Sequence, residues 1–386
     1  MKKSALALAV AAALVGFGSA AYADTTLYGS ARVSIDYNNP DAPDGNNNPN
    51  TSFNNSWDVY NNASRLGVRG EEDLGGGLAA IYQYEFGVDV TEGGTGFNSN
   101  RPKWVGLKGA NWGSITVGTQ WTPYYNVIGV GDIFNSSKVF NSSGAPVLGG
   151  SPSAVPVLNT YLGNTFGLRM DNSLIYTTPN WSGFGAQVML VMNGTCPPED
   201  PQTPSGLCKQ AGSADNKLPS NLNGDIDMWN ISASYKNGPF FFGATYMALE
   251  GPDFNDFYTA PNYGGDQWGV AAGYNSGPFA FSLAYENGDV NTVYFGRSAN
   301  IYATGQYTFG NNVVRASYGY LTPNDDTLFF ADGTTAKQGD LNNWALGYQY
   351  NFSKRTRVWF EYLGSSNSGD YYGDVNIISI GTRVDF

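Results

Sequence analysis

The sequence predicts an all-β protein, a transmembrane antiparallel β-barrel of sixteen strands. Three observations carry this. The chain opens on an export-type segment, its composition is rich in aromatics and poor in charge, and two-faced stretches recur between short turns and long polar connections.

The opening segment, "MKKSALALAVAAALVGFGSAAYAD", has two lysines, an apolar run from Ala5, and Ala21-Tyr22-Ala23 as a small-x-small cleavage site. It reads as a secretory signal peptide over residues 1–23, because the apolar run is short and lacks a stop-transfer flank. Residues 24–386 then form one domain. Loss of Lys2 and Lys3 takes the formal charge from −12 to −14. An exported acidic chain is a poor partner for nucleic acid.

Aromatic residues make up 15% of the chain and charged residues 13%, against about 25% charged in ordinary soluble domains. No later run offers the ~18 apolar residues of a membrane helix. Export, aromatics and little charge together suit strands that cross a membrane.

Turn chemistry sets the strand count. Short turns are expected at 71–77, 111–114, 180–183, 236–239, 275–278, 310–312 and 353–356, each built from Asn, Gly, Pro, Ser or Lys. Long polar connections fall at about 38–55, 92–100, 121–168, 194–226, 251–264, 288–298, 322–340 and 365–373. Seven turns and eight loops join sixteen strands. Short connections on one side and long ones on the other belong to an outer-membrane barrel, and a soluble sandwich has no reason to sort them so. The faces agree. In "WALGYQYNF", Trp344, Leu346, Tyr348 and Tyr350 alternate with Ala345, Gly347, Gln349 and Asn351. In "TRVWFEY", Val358, Phe360 and Tyr362 oppose Arg357, Trp359 and Glu361. The final strand sets Ile378, Ile380, Val384 and Phe386 against Ser379, Arg383 and Asp385. One face is expected to meet lipid and the other an aqueous lumen.

Four stretches, "TTLYGSARVSIDY" (25–37), "SRLGVRGEEDLGGGLAAIYQYE" (64–85), "WVGLKGANWGSITVGTQWTPYY" (104–125) and "LRMDNSLIYTTPNWSGFGAQV" (168–188), together with Phe386 at the terminus, resemble the general diffusion porins of the Gram-negative outer membrane. The resemblance implies a homotrimer of sixteen-stranded barrels, each a water-filled channel for ions and small hydrophilic solutes. It implies that the Phe386 strand is the signal for the barrel-assembly machinery, and that the third long loop, about 121–168, folds into the pore and constricts it. That loop is the longest connection and carries only Asp132 and Lys138 as charges. Irregular backbone at membrane depth is tolerated where it lines a water-filled cavity.

In this family, acidic residues on the third loop face a ladder of arginines. The matching positions are Arg32, Arg65 and Arg169, while the motif usually read GRQ is Gly118-Thr119-Gln120, one basic position fewer. Each arginine has a plainer reading as a wall residue paired to a carboxylate; for Arg169 the partner would be Asp171. Charge at the narrowest point outweighs loop charge screened over ~8–10 Å. The expectation is weak selectivity with a lean to anions, in a channel that contacts outer-membrane lipid and lipopolysaccharide. Divalent cations shared between acidic outer loops and lipopolysaccharide are one such contact.

Other classes are weaker. The chain has no histidine, which removes Ser-His and Cys-His nucleophile systems, so an enzyme is not expected. A substrate-specific channel for sugar, phosphate or nucleoside is the serious alternative. Tyr124, Tyr125, Phe134, Phe140 and Tyr161 would then offer an aromatic slide, where the plainer reading packs them against the wall. Cys196 and Cys208 are expected to close a short disulfide loop, and a metal site there is disfavoured without His or a CxxC pair. "EEDLGGGLAA" lacks the Lys-Ser/Thr of a phosphate loop, and no cofactor is expected. The Asp/Asn-dense "TPNDDT" (322–327) reads as solvated loop before it reads as a calcium site.

Overall fold

A chain that alternates apolar and polar residues satisfies both faces only when hydrocarbon lies on one side and water on the other. The computed structural model describes residues 24–40, 55–92, 97–98, 101–137, 169–192, 226–249, 265–288, 297–329, 335–370 and 373–386. β1 is Asp24–Pro40, and β2 comes in two pieces, Ser56–Asn61 and Arg65–Gly75. β3 (Leu78–Val88), β4 (Lys103–Gly109) and β5 (Gly113–Trp121) follow, then a short helix, α1 (Pro123–Ile128). β6 (Arg169–Thr177), β7 (Phe184–Val191), β8 (Met228–Asn237) and β9 (Phe240–Leu249) come next. β10 (Gly265–Ser276), β11 (Phe279–Gly288), β12 (Ser298–Phe309) and β13 (Asn312–Pro323) continue the series. β14 (Leu341–Asn351), β15 (Thr356–Asn367) and β16 (Val375–Asp385) complete it.

Every strand pairs antiparallel with the next, and β16 closes on β1 with Arg383 opposite Arg32 and Ile380 opposite Ile35. The sheet is a closed sixteen-stranded barrel, which leaves no edge to aggregate. The seven turns fall where the residues place them. Gly238 and Gly277 hold φ of 55° and 57° in two of them, a region other residues enter only with strain. A small hairpin, Thr327–Phe329 with Thr335–Lys337, stands apart from the barrel sheet.

The two faces are inverted relative to a soluble protein. Leu346 is 57% exposed beside Ala345 at 1%, and Phe360 is 47% exposed beside Glu361 at 0%. Phe242, Val270, Leu283, Ile301 and Ile380 are likewise exposed. An apolar exterior that runs round a whole barrel is stable only in hydrocarbon. No described helix is long and apolar enough to cross a membrane.

β2 breaks at Asn62–Ser64. Ala63 takes a φ of 61° there, Asn61 Nδ2 donates to the Val88 carbonyl, and the Ser64 N–H donates to Asn61 Oδ1 at 3.2 Å. Side-chain amides thus replace the ladder bonds that the break removes.

The terminal residue closes the barrel seam. The Gly29 N–H donates to the Phe386 carbonyl at 3.0 Å, and the Phe386 N–H returns to Gly29 O at 3.1 Å. The Phe386 ring lies over Gly29, where an added Cβ would sit 2.4 Å from the ring. Gly29→Val is therefore expected to destabilise the folded barrel by about 1–3 kcal/mol. Urea or heat unfolding in detergent reads this, and an unchanged midpoint would show that the ring simply moves aside. Residues 1–23, Lys138, Phe140, Tyr161, Cys196 and Cys208 lie outside the described residues.

Candidate functional site

The site is built from the start of the third loop and the inner wall it rests on. Thr122 caps α1, its Oγ1 accepting the Tyr125 N–H at 3.1 Å, and Pro123 takes the first helical position. Tyr124, Val127 and Ile128 pack into a cluster with Met170, Met189, Met228 and Met247, one methionine from each of β6 to β9. Unbranched thioethers fit the irregular seam between a helix and a sheet.

Polar groups fasten the same segment. The Tyr124 N–H donates to Asn230 Oδ1 on β8 at 2.6 Å. Its hydroxyl donates to the buried Glu286 carboxylate on β11, which also receives Gln267 Nε2 and Asn300 Nδ2, each at 3.0 Å. Burial and then the Glu286 charge hold the Tyr124 phenol well above its ordinary pKa. Tyr302 on β12 donates to the Gly131 carbonyl at 3.2 Å.

Beyond the helix, the N–H groups of Asn135 and Ser136 both donate to Glu361 on β15 at 2.8 Å, and Arg315 lies 3.7 Å from the same carboxylate. Asn135 Nδ2 donates to Gln349 on β14. Phe134 packs on Ala345, Leu363, Val375 and Ile377. The Ser137 N–H reaches Asn62 Oδ1, at the break in β2, at 2.8 Å. Residues 123–137 are thus tied to the barrel from β6 round to β16 and again at β2. All of these wall partners lie on the face opposite the exposed apolar one.

Another stretch of that inner face carries a basic row. Arg32, Arg383 and Arg357 stand directly opposite one another across β1, β16 and β15. Like charges in register weaken a sheet, so this row is not there for stability. Asp385 accepts from Arg383 Nε at 2.7 Å and from Arg357. Arg32 Nε donates to Ser30 Oγ at 3.2 Å. Arg65 and Arg101 share Glu85, at 3.7 and 3.5 Å, and Arg101 also donates to the Ala63 carbonyl. Arg169, at the start of β6, is buried with its guanidinium 4.5 Å over the Trp121 ring. Asp171, two residues along, accepts from Thr119 Oγ1 at 2.7 Å.

Facing this wall is Asp132. It is solvent-exposed and accepts the Tyr125 hydroxyl at 2.7 Å. Crowding by protein atoms raises its pKa, while Tyr125 and then the charges of Arg32, Arg65 and Arg383 pull it back. Burial, followed by Asp132, raises the Tyr125 phenol.

The sequence-named residues therefore take distinct places. Arg32 and Arg65 stand on the basic wall, Arg169 stands over Trp121 within electrostatic reach of Arg65 and Arg101, and Asp132 with Tyr125 lies on the loop within reach of the same charges. Tyr124 is fully buried. Sequence reasoning did not single out Arg101, Arg383, Arg315, Glu85 or Glu286 as site residues, nor Glu361 as the anchor of the loop. Their signal is position: each strand member is a charge at an inner-face parity in an otherwise two-faced strand. Among the described residues, no group of three or more His, Cys, Asp or Glu could hold a metal ion.

Known proteins give this geometry its context. A sequence profile of the family described as Gram-negative porin matches residues 7–370. The chain is 35% identical over 196 residues to an outer membrane porin protein of Bordetella pertussis, covering 48% of this chain and 46% of that one. It is 28% identical over 376 residues to the major outer membrane protein P.IB of Neisseria gonorrhoeae, covering 92% and 91%. It is 33% identical over 188 residues to outer membrane porin protein 32 of Delftia acidovorans, at 48% of each. Its matches to the Bordetella and Delftia relatives thus span about half their length. Among solved structures, the anion-selective porin of Comamonas acidovorans superposes with a TM-score of 0.62 at 17% identity, over 94% of this chain and 100% of that one. The trimer form of OmpT from Vibrio cholerae superposes with a TM-score of 0.58 at 16% identity, over 94% and 99%.

Proposed function

This chain belongs to the Gram-negative porin family of the outer membrane, and from that premise we propose that it is a general diffusion channel leaning to anions. The solutes are ions and small hydrophilic molecules. The observation that carries the lean is the inner wall, where Arg32, Arg65, Arg101, Arg357 and Arg383 outnumber Glu85, Asp385 and the facing Asp132. A charge ring at the narrow part of a pore sets which ions enter. The chain's net charge of −12 acts over a greater distance and is screened within ~8–10 Å.

The third loop sets the width of the passage. Its support is the run of wall bonds made by residues 123–137, which holds Asp132 towards the arginines. The functional unit is a homotrimer, in keeping with the trimer form seen for the Vibrio cholerae likeness. An aromatic slide for sugars finds little support, because Tyr124 and Phe134 are buried in loop–wall contacts.

Reversal potential across a planar bilayer in a potassium chloride gradient tests the reading. Chloride is expected to pass more readily than potassium, by a modest factor. Strong preference for potassium would overturn the reading.

A further inference from the structure

Building on that channel reading, we propose that Tyr125 is a positioning residue for ion selectivity: its hydroxyl tethers Asp132 to the loop and keeps this carboxylate off the arginine wall. Asp132 is the only acidic residue of 122–137. Its backbone is fixed by its own N–H, which donates to the Gly129 carbonyl at 3.0 Å. Its side chain is fixed by the Tyr125 hydroxyl at 2.7 Å.

The tether has a rigid root. The Tyr125 ring stacks on Trp121 with centroids 4.6 Å apart and planes 19° from parallel. Trp121 in turn carries the Arg169 guanidinium. Close to the same tyrosine ring is Gly129, where an added Cβ would come within 2.7 Å of it. A ring held in this way cannot swing, so the hydroxyl fixes where the carboxylate stands.

Without that donor, Asp132 has one strong alternative. The positive charges it senses are those of Arg32, Arg65 and Arg383. A carboxylate and a guanidinium attract each other more strongly in a confined lumen than in bulk water, because the effective dielectric is lower. The freed side chain would close on the wall, cancel one positive charge and narrow the path. Tyr125 therefore keeps opposite charges apart across the passage.

Tyr125→Phe tests this, because it removes only the oxygen and leaves the stack. In planar bilayers the chloride-to-potassium permeability ratio is expected to fall about two-fold, as expected when one unit charge moves a few ångströms in a narrow pore, with single-channel conductance reduced. Asp132→Asn is expected to raise the ratio. The double variant Tyr125→Phe/Asp132→Asn is expected to match Asp132→Asn alone. A hydroxyl that merely stiffens the loop would instead make the double variant differ from Asp132→Asn. A Tyr125→Phe ratio at the wild-type value also overturns the tether. Wild-type channels without anion preference overturn the channel reading's lean, and the shift on Tyr125→Phe still reports the tether separately.

Discussion

Replacing Glu361 with alanine is expected to release the Asn135–Ser136 segment of the third loop and raise single-channel conductance. Glu361 is fully buried and receives the Asn135 and Ser136 N–H groups, with Arg315 3.7 Å away. Removing the carboxylate orphans two buried donors and leaves a buried guanidinium without its counter-charge. Breaking one side of such a buried arrangement costs about 3–5 kcal/mol. The segment recovers that loss most cheaply by letting go and solvating its N–H groups in water. The root of the loop has separate anchors on the methionine cluster, Asn230 and Glu286, so the barrel and α1 should stay. Larger conductance steps and a larger cut-off in solute-swelling assays are the readouts. Glu361→Gln, which keeps one acceptor, should fall between alanine and wild type. A folded Glu361→Ala channel with wild-type conductance would show that the segment is held by something else.

Charge reversal at Arg32 should have the second largest effect, on selectivity rather than size. Arg32 is the β1 end of the row, opposite Arg383 on β16 and within electrostatic reach of Arg65 on β2, and its hydrogen-bond partner is the neutral Ser30 hydroxyl. Arg32→Glu changes the local charge by two units and places a carboxylate between two guanidinium groups. At distances of several ångströms and an intermediate dielectric, that is worth roughly 1–2 kcal/mol to a passing monovalent ion. The anion-to-cation permeability ratio should therefore drop about ten-fold and the reversal potential should change sign. Arg297→Glu, paired to Asp266 away from the row, serves as the comparison and should move the ratio little. Equal shifts for the two variants would mean that the row has no special hold on permeating ions.

Much of the architecture was legible before any coordinates. Strand faces follow from period-two alternation, which is a local property of each segment. Turns follow from residues such as Gly238 and Gly277, whose backbone needs are also local. The site was less legible because it depends on register and on contacts across the lumen. Arg32, Arg383 and Arg357 become one row only when β1 closes on β16. Asn135 and Glu361 are 226 residues apart. Arg101 sits where a long connection meets β4, so no strand parity marked it. The break in β2 was also hidden, since Asn61-Asn62-Ala63-Ser64 could equally end a loop. Arg169 shows the limit of carrying a role across by motif. Its place in the sequence matches the ladder, and its guanidinium stands over Trp121, a contact no motif announces.

The central physical claim is that outward side chains lie in hydrocarbon while their neighbours line water. Nitroxide labels on single cysteines, in a Cys196→Ser/Cys208→Ser background reconstituted in lipid, test it most directly. Labels at Leu283 and Leu346 should be quenched strongly by oxygen and weakly by a soluble nickel chelate. Labels at Asp132 and Arg32 should show the opposite order. Equal chelate access at all four positions, or a reversal of the two orders, would contradict the account.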